Sequence, residues 1–219
     1  MSMIAQKNYT AAIFDLDGVI VDTAKYHYLA WKRLAQELGF DFSEKDNERL
    51  KGVSRMRSLE ILLEVGGLTF SEEKKIEMAD RKNKWYVEYI TKMNKSELLP
   101  GAKECLVRLR EKGIGIALGS ASKNASIILD NMEIIDLFDS VVDGNKVSKA
   151  KPDPEVFLLG AKELGISPDD CVVFEDAESG IAAAKAAGMY SVGIGDAIVL
   201  KEADKVIKGL FELEVDSLF

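Results

Sequence analysis

Basic tracts are missing from this chain. No block of lysine and arginine exceeds two residues, and the net charge is −8. Without such a block there is no electrostatic footprint for nucleic acid. Cysteine is scarce: Cys105 and Cys171 are the only two, with no metal-binding spacing. Cys171 opens an apolar run and reads as a buried structural thiol. No apolar stretch reaches membrane-spanning length, and the N-terminal MSMIAQKNYT lacks the hydrophobic region of a signal peptide. Repeats and low-complexity tracts are also lacking. These absences leave a soluble, cytoplasmic chain as the expectation, with neither nucleic acid nor membrane as partner. Histidine occurs once, at His27.

What is present is ordinary for a globular protein. The 219 residues are 47% hydrophobic, a length that suits one large domain or a domain with an insert. Four short apolar runs, 11–14, 115–118, 171–174 and 191–194, read as buried parallel strands, and 140–142 as a weaker fifth. Helical patterns lie between them at 102–111, 125–132, 154–164 and 180–187. Gly113, Gly165 and Gly188 follow three of these, as left-handed C-terminal caps do. Strand alternating with helix specifies an α/β fold with a parallel sheet. Residues 22–97 break the rhythm and read as helices only, at 26–38, 43–50, 57–65 and 71–93. The expected organisation is therefore a Rossmann-like core, 1–21 and 98–219, with an inserted all-helical cap domain at 22–97. An insert there hangs over the carboxyl ends of the strands, where open α/β sheets bind ligands.

Those strand ends carry the chemistry. The first apolar run ends in Asp15-Leu16-Asp17-Gly18. Side chains at i and i+2 of a strand share a face, so both carboxylates can point the same way. A buried unpaired carboxylate is costly, and a metal ion or a reacting phosphate would offset that cost. The second run leads into Gly119-Ser120-Ala121-Ser122, and the fourth into Glu175-Asp176. A parallel sheet brings these ends together as acids beside hydroxyls. Hard oxygen ligands of this kind suit Mg²⁺, and Lys151 can add a fixed positive charge. A carboxylate can attack phosphorus to form an aspartyl-phosphate, while a second trades a proton with the leaving oxygen. Asp15 is the expected nucleophile and Asp17 the expected acid/base.

This ordered set (DLDG after a strand, Ser120, Lys151, Glu175-Asp176) resembles the four motifs of the haloacid dehalogenase superfamily. More closely, DLDGVIVDTAKYHYLAWKRLA, LKGVSR, RKN, SASKN, KP and ED resemble the β-phosphoglucomutase family, over nearly the whole chain. The resemblance implies interconversion of β-D-glucose 1-phosphate and glucose 6-phosphate through an aspartyl-phosphate and a β-glucose 1,6-bisphosphate. It implies Mg²⁺, held by Asp15, the backbone carbonyl of Asp17, Glu175 and Asp176, and a cap that opens and closes. It places Ser120 and Lys151 on the transferring phosphate, and counts Ala121, Ser122 and Asn124 among the phosphate- or substrate-binding residues. In the cap it places Lys51, Gly52, Arg55 and Ser58 at the non-transferring end, with Thr23 and His27 near the hinge. Trp31 and Lys82 complete the candidate substrate set. Gly119 departs from the family's usual alanine, and Ala177-Glu178 from a more polar pair. The alternative is a Mg²⁺-dependent sugar-phosphate phosphatase on the same fold. The partner is a hexose phosphate, and the chain is expected to be a monomer.

Simpler roles compete at several positions. Asp176 can cap the following helix. His27, beside Trp31 at i+4, can simply pack. Trp31 suits interdomain packing better than substrate stacking. Lys82 lies in a charged helix, where a solvated face is usual.

Overall fold

The computed structural model describes residues 8–50 and 53–219. Lys51 and Gly52, two of the expected cap residues, lie outside that range. Six strands form one parallel sheet in the order β3-β2-β1-β4-β5-β6. The strands are β1 (Ala11–Phe14), β2 (Gly115–Gly119), β3 (Ser140–Val142), β4 (Cys171–Glu175), β5 (Tyr190–Ile194) and β6 (Lys205–Ile207). β1 is central, and all four of its residues are buried. That explains its unbroken apolar run, since a strand covered on both faces needs apolar residues at every position. Alternate residues feed two cores. Ala12 and Phe14 enter one, and the Phe14 ring stacks on Phe174 with centroids 4.6 Å apart. Ala11 and Ile13 enter the other, with Phe157 and Ala161 of α7 (Glu155–Leu164) and Ala183 and Ala184 of α8 (Glu178–Ala186). The first core also takes in α5 (Ala102–Glu111) and α6 (Ala125–Asn131). Gly113, Gly165 and Gly188 have φ of 73°, 70° and 74°, the left-handed caps that the sequence indicates.

Within 22–97 the described residues form four α-helices: α1 (Ala24–Glu37), α2 (Glu44–Glu48), α3 (Arg55–Gly66) and α4 (Glu72–Ile90). Their starts are written in serines. Ser43, Ser54 and Ser71 each accept a hydrogen bond from the backbone N–H three residues on. Trp31, Leu34, Leu59, Leu62, Met78 and Tyr86 close a core between these helices. Two linkers join this insertion to the sheet, and they run side by side. Val21 bridges Leu98, and the Leu99 amide donates to the Ile20 carbonyl at 2.9 Å. Glu97 on one linker accepts from the Tyr26 hydroxyl at 2.7 Å and pairs with Lys25 at 2.6 Å on the other side.

β1 has β2 on one flank and β4 on the other, so successive connections leave it in opposite directions. That reversal opens a crevice at the carboxyl ends of β1 and β4. Asp15 follows β1, and Glu175 is the last residue of β4.

Candidate active site

A cavity of about 720 Å³ lies between these strand ends and the helical insertion. Its size is ordinary for a small-ligand pocket. Among the described residues, every expected site residue lines it, from Asp15 on the sheet side to Arg55, Ser58 and Lys82 on the insertion side.

The floor is an ion-pair cluster. Asp15, Glu175 and Lys151 are all buried. Lys151 comes from the loop after β3. Its Nζ lies 2.5 Å from Asp15 Oδ1 and 2.7 Å from Glu175 Oε2. Burial pushes the lysine pKa down, but the two carboxylates more than offset this and hold it above its ordinary value. Burial, with Asp15 alongside, pushes the Glu175 carboxyl up, and Lys151 opposes that rise. One ammonium does not balance this many acids. Asp15, Glu175 and Asp176 each present an oxygen, and these oxygens lie within 4.8 Å of one another. That is an oxygen-only site of the kind a divalent cation takes, and its charge would relieve the crowding.

Two glycines make the cluster sterically feasible. Gly18 has φ +81°, and a Cβ there would collide with the Asp176 carboxylate. A Cβ on Gly180 would collide with the Glu175 side chain. Gly180 reads in sequence only as the start of a helix, so its contact with Glu175 is not visible there. The cap of α8 is also not what the sequence suggests: Ala177 holds the N-cap position, not Asp176.

Asp17 sits at the junction of floor and insertion. The buried Thr23 hydroxyl donates to Asp17 Oδ1. Burial pushes the Asp17 carboxyl up, the Asp15 charge adds to the effect, and Thr23 and Lys151 oppose it, with a result of about 7. A group poised there can both give and take a proton near neutral pH. Beside it, Ser120 is buried at the end of β2. Its Oγ accepts from the Ser122 amide at 3.1 Å, and Ser122 Oγ accepts from the Asn124 amide at 3.3 Å. This turn sets the loop that carries both hydroxyls. Asn124 then donates to Asn83 of α4 at 3.1 Å, a direct tie between sheet and insertion. Asn83 was not among the expected residues. Its neighbours in the RKN stretch gave the only sequence signal for it.

The roof is cationic. Lys82 is 2% exposed, which corrects the solvated-face reading. The α4 sequence around it is charged, but position 82 faces α1. Its Nζ lies 2.9 Å from His27 Nδ1 and over the rings of Trp31 and Tyr86, at 4.4 and 4.8 Å from their centroids. Burial drives the lysine pKa well below its usual value, and Arg55 adds to this. Burial, then Lys82 and Arg55, does the same to His27 and keeps the imidazole neutral. The His27 ring also stacks on Tyr86 at 4.0 Å. His27 is thus neither a solvated nor a purely packing residue: it links Lys82 to the cavity wall. Trp31 packs within the insertion, under Lys82.

The arrangement can receive a ligand with negative charge at both ends. The floor needs a cation before a phosphate can approach; the roof already carries the Arg55 guanidinium, with Lys82 beside it. Fold and site together define a class, the doubly wound α/β proteins with an aspartate-rich anion pocket under a helical insertion. The chain belongs to the haloacid dehalogenase-like hydrolase family, whose family model matches residues 9–188. It is 45% identical to a β-phosphoglucomutase of Bacillus subtilis (strain 168), over 95% of this chain and 93% of that one. It is 34% identical to a phosphorylated carbohydrates phosphatase of Thermotoga maritima, covering 90% and 92% of the two chains. A crystal structure of β-phosphoglucomutase from Clostridium difficile superposes with a TM-score of 0.90 at 45% identity, covering 95% and 94%.

Proposed function

We propose that the protein interconverts β-D-glucose 1-phosphate and glucose 6-phosphate by phosphoryl transfer through Asp15. The observation that carries this reading is the two-ended cavity, with an acidic, cation-ready floor and a cationic roof. A phosphatase needs only the floor. A mutase must also hold a second phosphate that is not reacting.

Each residue takes a definite part. In the aspartyl-phosphate enzyme, Asp17 takes the proton of an attacking sugar hydroxyl. That oxygen bonds to phosphorus, the Asp15–phosphorus bond breaks, and a sugar bisphosphate results. The bisphosphate turns end for end. Asp15 then attacks the other phosphate in line, and Asp17 returns its proton to the sugar oxygen that leaves. Ser120 and Lys151 hold the oxygens of the moving phosphoryl group. Arg55, a planar donor that can grip two oxygens at once, holds the other phosphate with Ser58, Asn124 and Lys82 around it. Mg²⁺, bound by Asp15, Glu175, Asp176 and the carbonyl of Asp17, would neutralise charge on the transferring group. Residues 22–97 act as a cap that closes over the substrate and keeps water from the aspartyl-phosphate. The linkers tied by Glu97, Lys25 and Tyr26 are where that motion would be rooted.

Phosphorus NMR of β-glucose 1-phosphate with catalytic bisphosphate and Mg²⁺ tests the activity. Glucose 6-phosphate should accumulate; inorganic phosphate alone would establish the phosphatase instead. Arg55→Ala tests the roof. Mutase turnover should fall at least ~10-fold, since a hydrogen bond to a charged group contributes about 1.5–3 kcal/mol. Phosphorylation of Asp15 by acetyl phosphate, which has no second end, should continue. Loss of both would show that Arg55 acts on the floor or on folding.

A further inference from the structure

Lys151 has a third partner besides its two carboxylates. Its ammonium stands over the ring of Phe157, 4.7 Å from the centroid. Phe157 is in the first turn of α7 and is wholly buried. The ring lies where β2 leaves room for it. A Cβ on Gly119 would stand 2.8 Å from Phe157 Cδ1 and 3.0 Å from Cε1, and 3.2 Å from Ile13 Cγ2. A side chain at 119 would therefore push against a ring that core residues already confine. The lysine side chain is itself only 4% exposed, so no water lies between charge and ring to weaken the attraction.

The reaction explains why such a partner is useful. When Asp15 attacks phosphorus, one carboxylate oxygen bonds to phosphorus and the bond from phosphorus to the sugar oxygen breaks. The carboxylate becomes an acyl phosphate and stops being an anionic partner of Lys151. The phosphoryl oxygens arrive at and leave Lys151 during turnover, whereas the face of Phe157 attracts its ammonium before and after transfer alike. We infer that Phe157 is a positioning residue, whose ring face holds the Lys151 ammonium at the transferring phosphate throughout the cycle. This rests on the proposed role of Lys151 in phosphoryl transfer.

The test is to replace Phe157 by 4-fluoro-, 3,5-difluoro- and 3,4,5-trifluorophenylalanine. Fluorine drains negative charge from the ring face while hardly altering its shape. Two readouts are taken. One is the rate of Asp15 phosphorylation by acetyl phosphate at saturating Mg²⁺. It should fall stepwise with each fluorine, to roughly one tenth in the trifluoro protein, the scale expected for a desolvated cation–π contact. The assay is run well below the thermal midpoint of every variant, which should itself fall along the series because the same contact is present in the resting fold. The other is the NMR resonance of the Lys151 ammonium in the metal-free protein. It should lie upfield through the ring current, and Phe157→Leu should abolish that shift. A rate independent of fluorine content overturns the proposal, as does an ammonium resonance with no ring-current shift. If Asp15 is not phosphorylated in any protein, the functional reading fails, and the resonance alone still decides whether the ring holds the lysine.

Discussion

Replacing Asp17 by Asn should make the metal-free protein more stable in a way that depends on pH. The Asp17 carboxyl has a folded pKa of about 7 against an ordinary 3.8. Between those values the folded state keeps a proton that the unfolded state has lost. The linkage sign follows: stability from this group is full at low pH and drains away as pH rises towards 7. One pKa unit is worth 1.36 kcal/mol. Between pH 5 and pH 8 the wild-type protein should therefore lose about 2–3 kcal/mol through Asp17 alone. Asn cannot titrate, yet its Oδ1 still accepts from Thr23. The stability gap between variant and wild type should widen by that amount over the same interval. Titrating groups remote from Asp17 are common to both proteins and cancel in the difference. Urea unfolding of both proteins at pH 5 and pH 8, in EDTA, measures it. A gap equal at the two pH values would refute the reasoning, because it would mean that Asp17 is not protonated in the folded state. The same variant should lose sugar turnover, since the amide exchanges no proton with the sugar oxygen.

Three further outcomes are expected. Asp15→Asn should abolish phosphorylation by acetyl phosphate, because the amide is a poor nucleophile and a weaker cation ligand; mass spectrometry of the intact chain would detect any adduct. Exhaustive dialysis against EDTA should stop turnover, and added Mg²⁺ should restore it; full activity in chelator would remove the cation from the account. Lys82→Met should raise the thermal midpoint at pH 7, since it relieves a buried ammonium whose pKa burial depresses, while lowering mutase turnover several-fold. A fall in both would show that the contacts to His27 and the rings outweigh desolvation.

The core of this site was readable because its physics is local. Strands buried on both faces must be apolar throughout, so β1, β2 and β4 stand out, and any polar residue at their ends is conspicuous. Asp15, Ser120 and Glu175 were found in that way. β6 was not. It has three residues, Lys205–Ile207, and only Ile207 is buried. Nothing in so short an edge strand separates it from a loop. Lys82 was misread for a different reason. The α4 sequence EEKKIEMADRKNKWYVEYI is charged nearly all round, and only packing against Trp31 on α1 decides that position 82 faces inward. Gly180 meets Glu175, and Phe157 meets Lys151, over only a few residues, but through loop-to-helix turns that neither a strand nor a helix period encodes.

The charge arrangement also explains why the two ends of the cavity must be built from different segments. The floor combines residues from three strand ends and a loop, which only a finished sheet brings together. Its acids repel an incoming phosphate until a cation is present, so it cannot by itself capture a substrate. The roof can. Arg55 and Lys82 ride on α3 and α4, which reach the sheet only through the paired linkers and contacts such as Asn124 with Asn83. A substrate with two phosphates satisfies both ends at once, whereas a monophosphate satisfies one. On the proposed function, closing of the insertion would be coupled to the number of charges on the ligand, because roof and floor would be drawn together only when each holds an anion. Water carries no second anion and gains nothing from that closure. On that reading, selection of a sugar phosphate over water at Asp15 follows from where the cations sit.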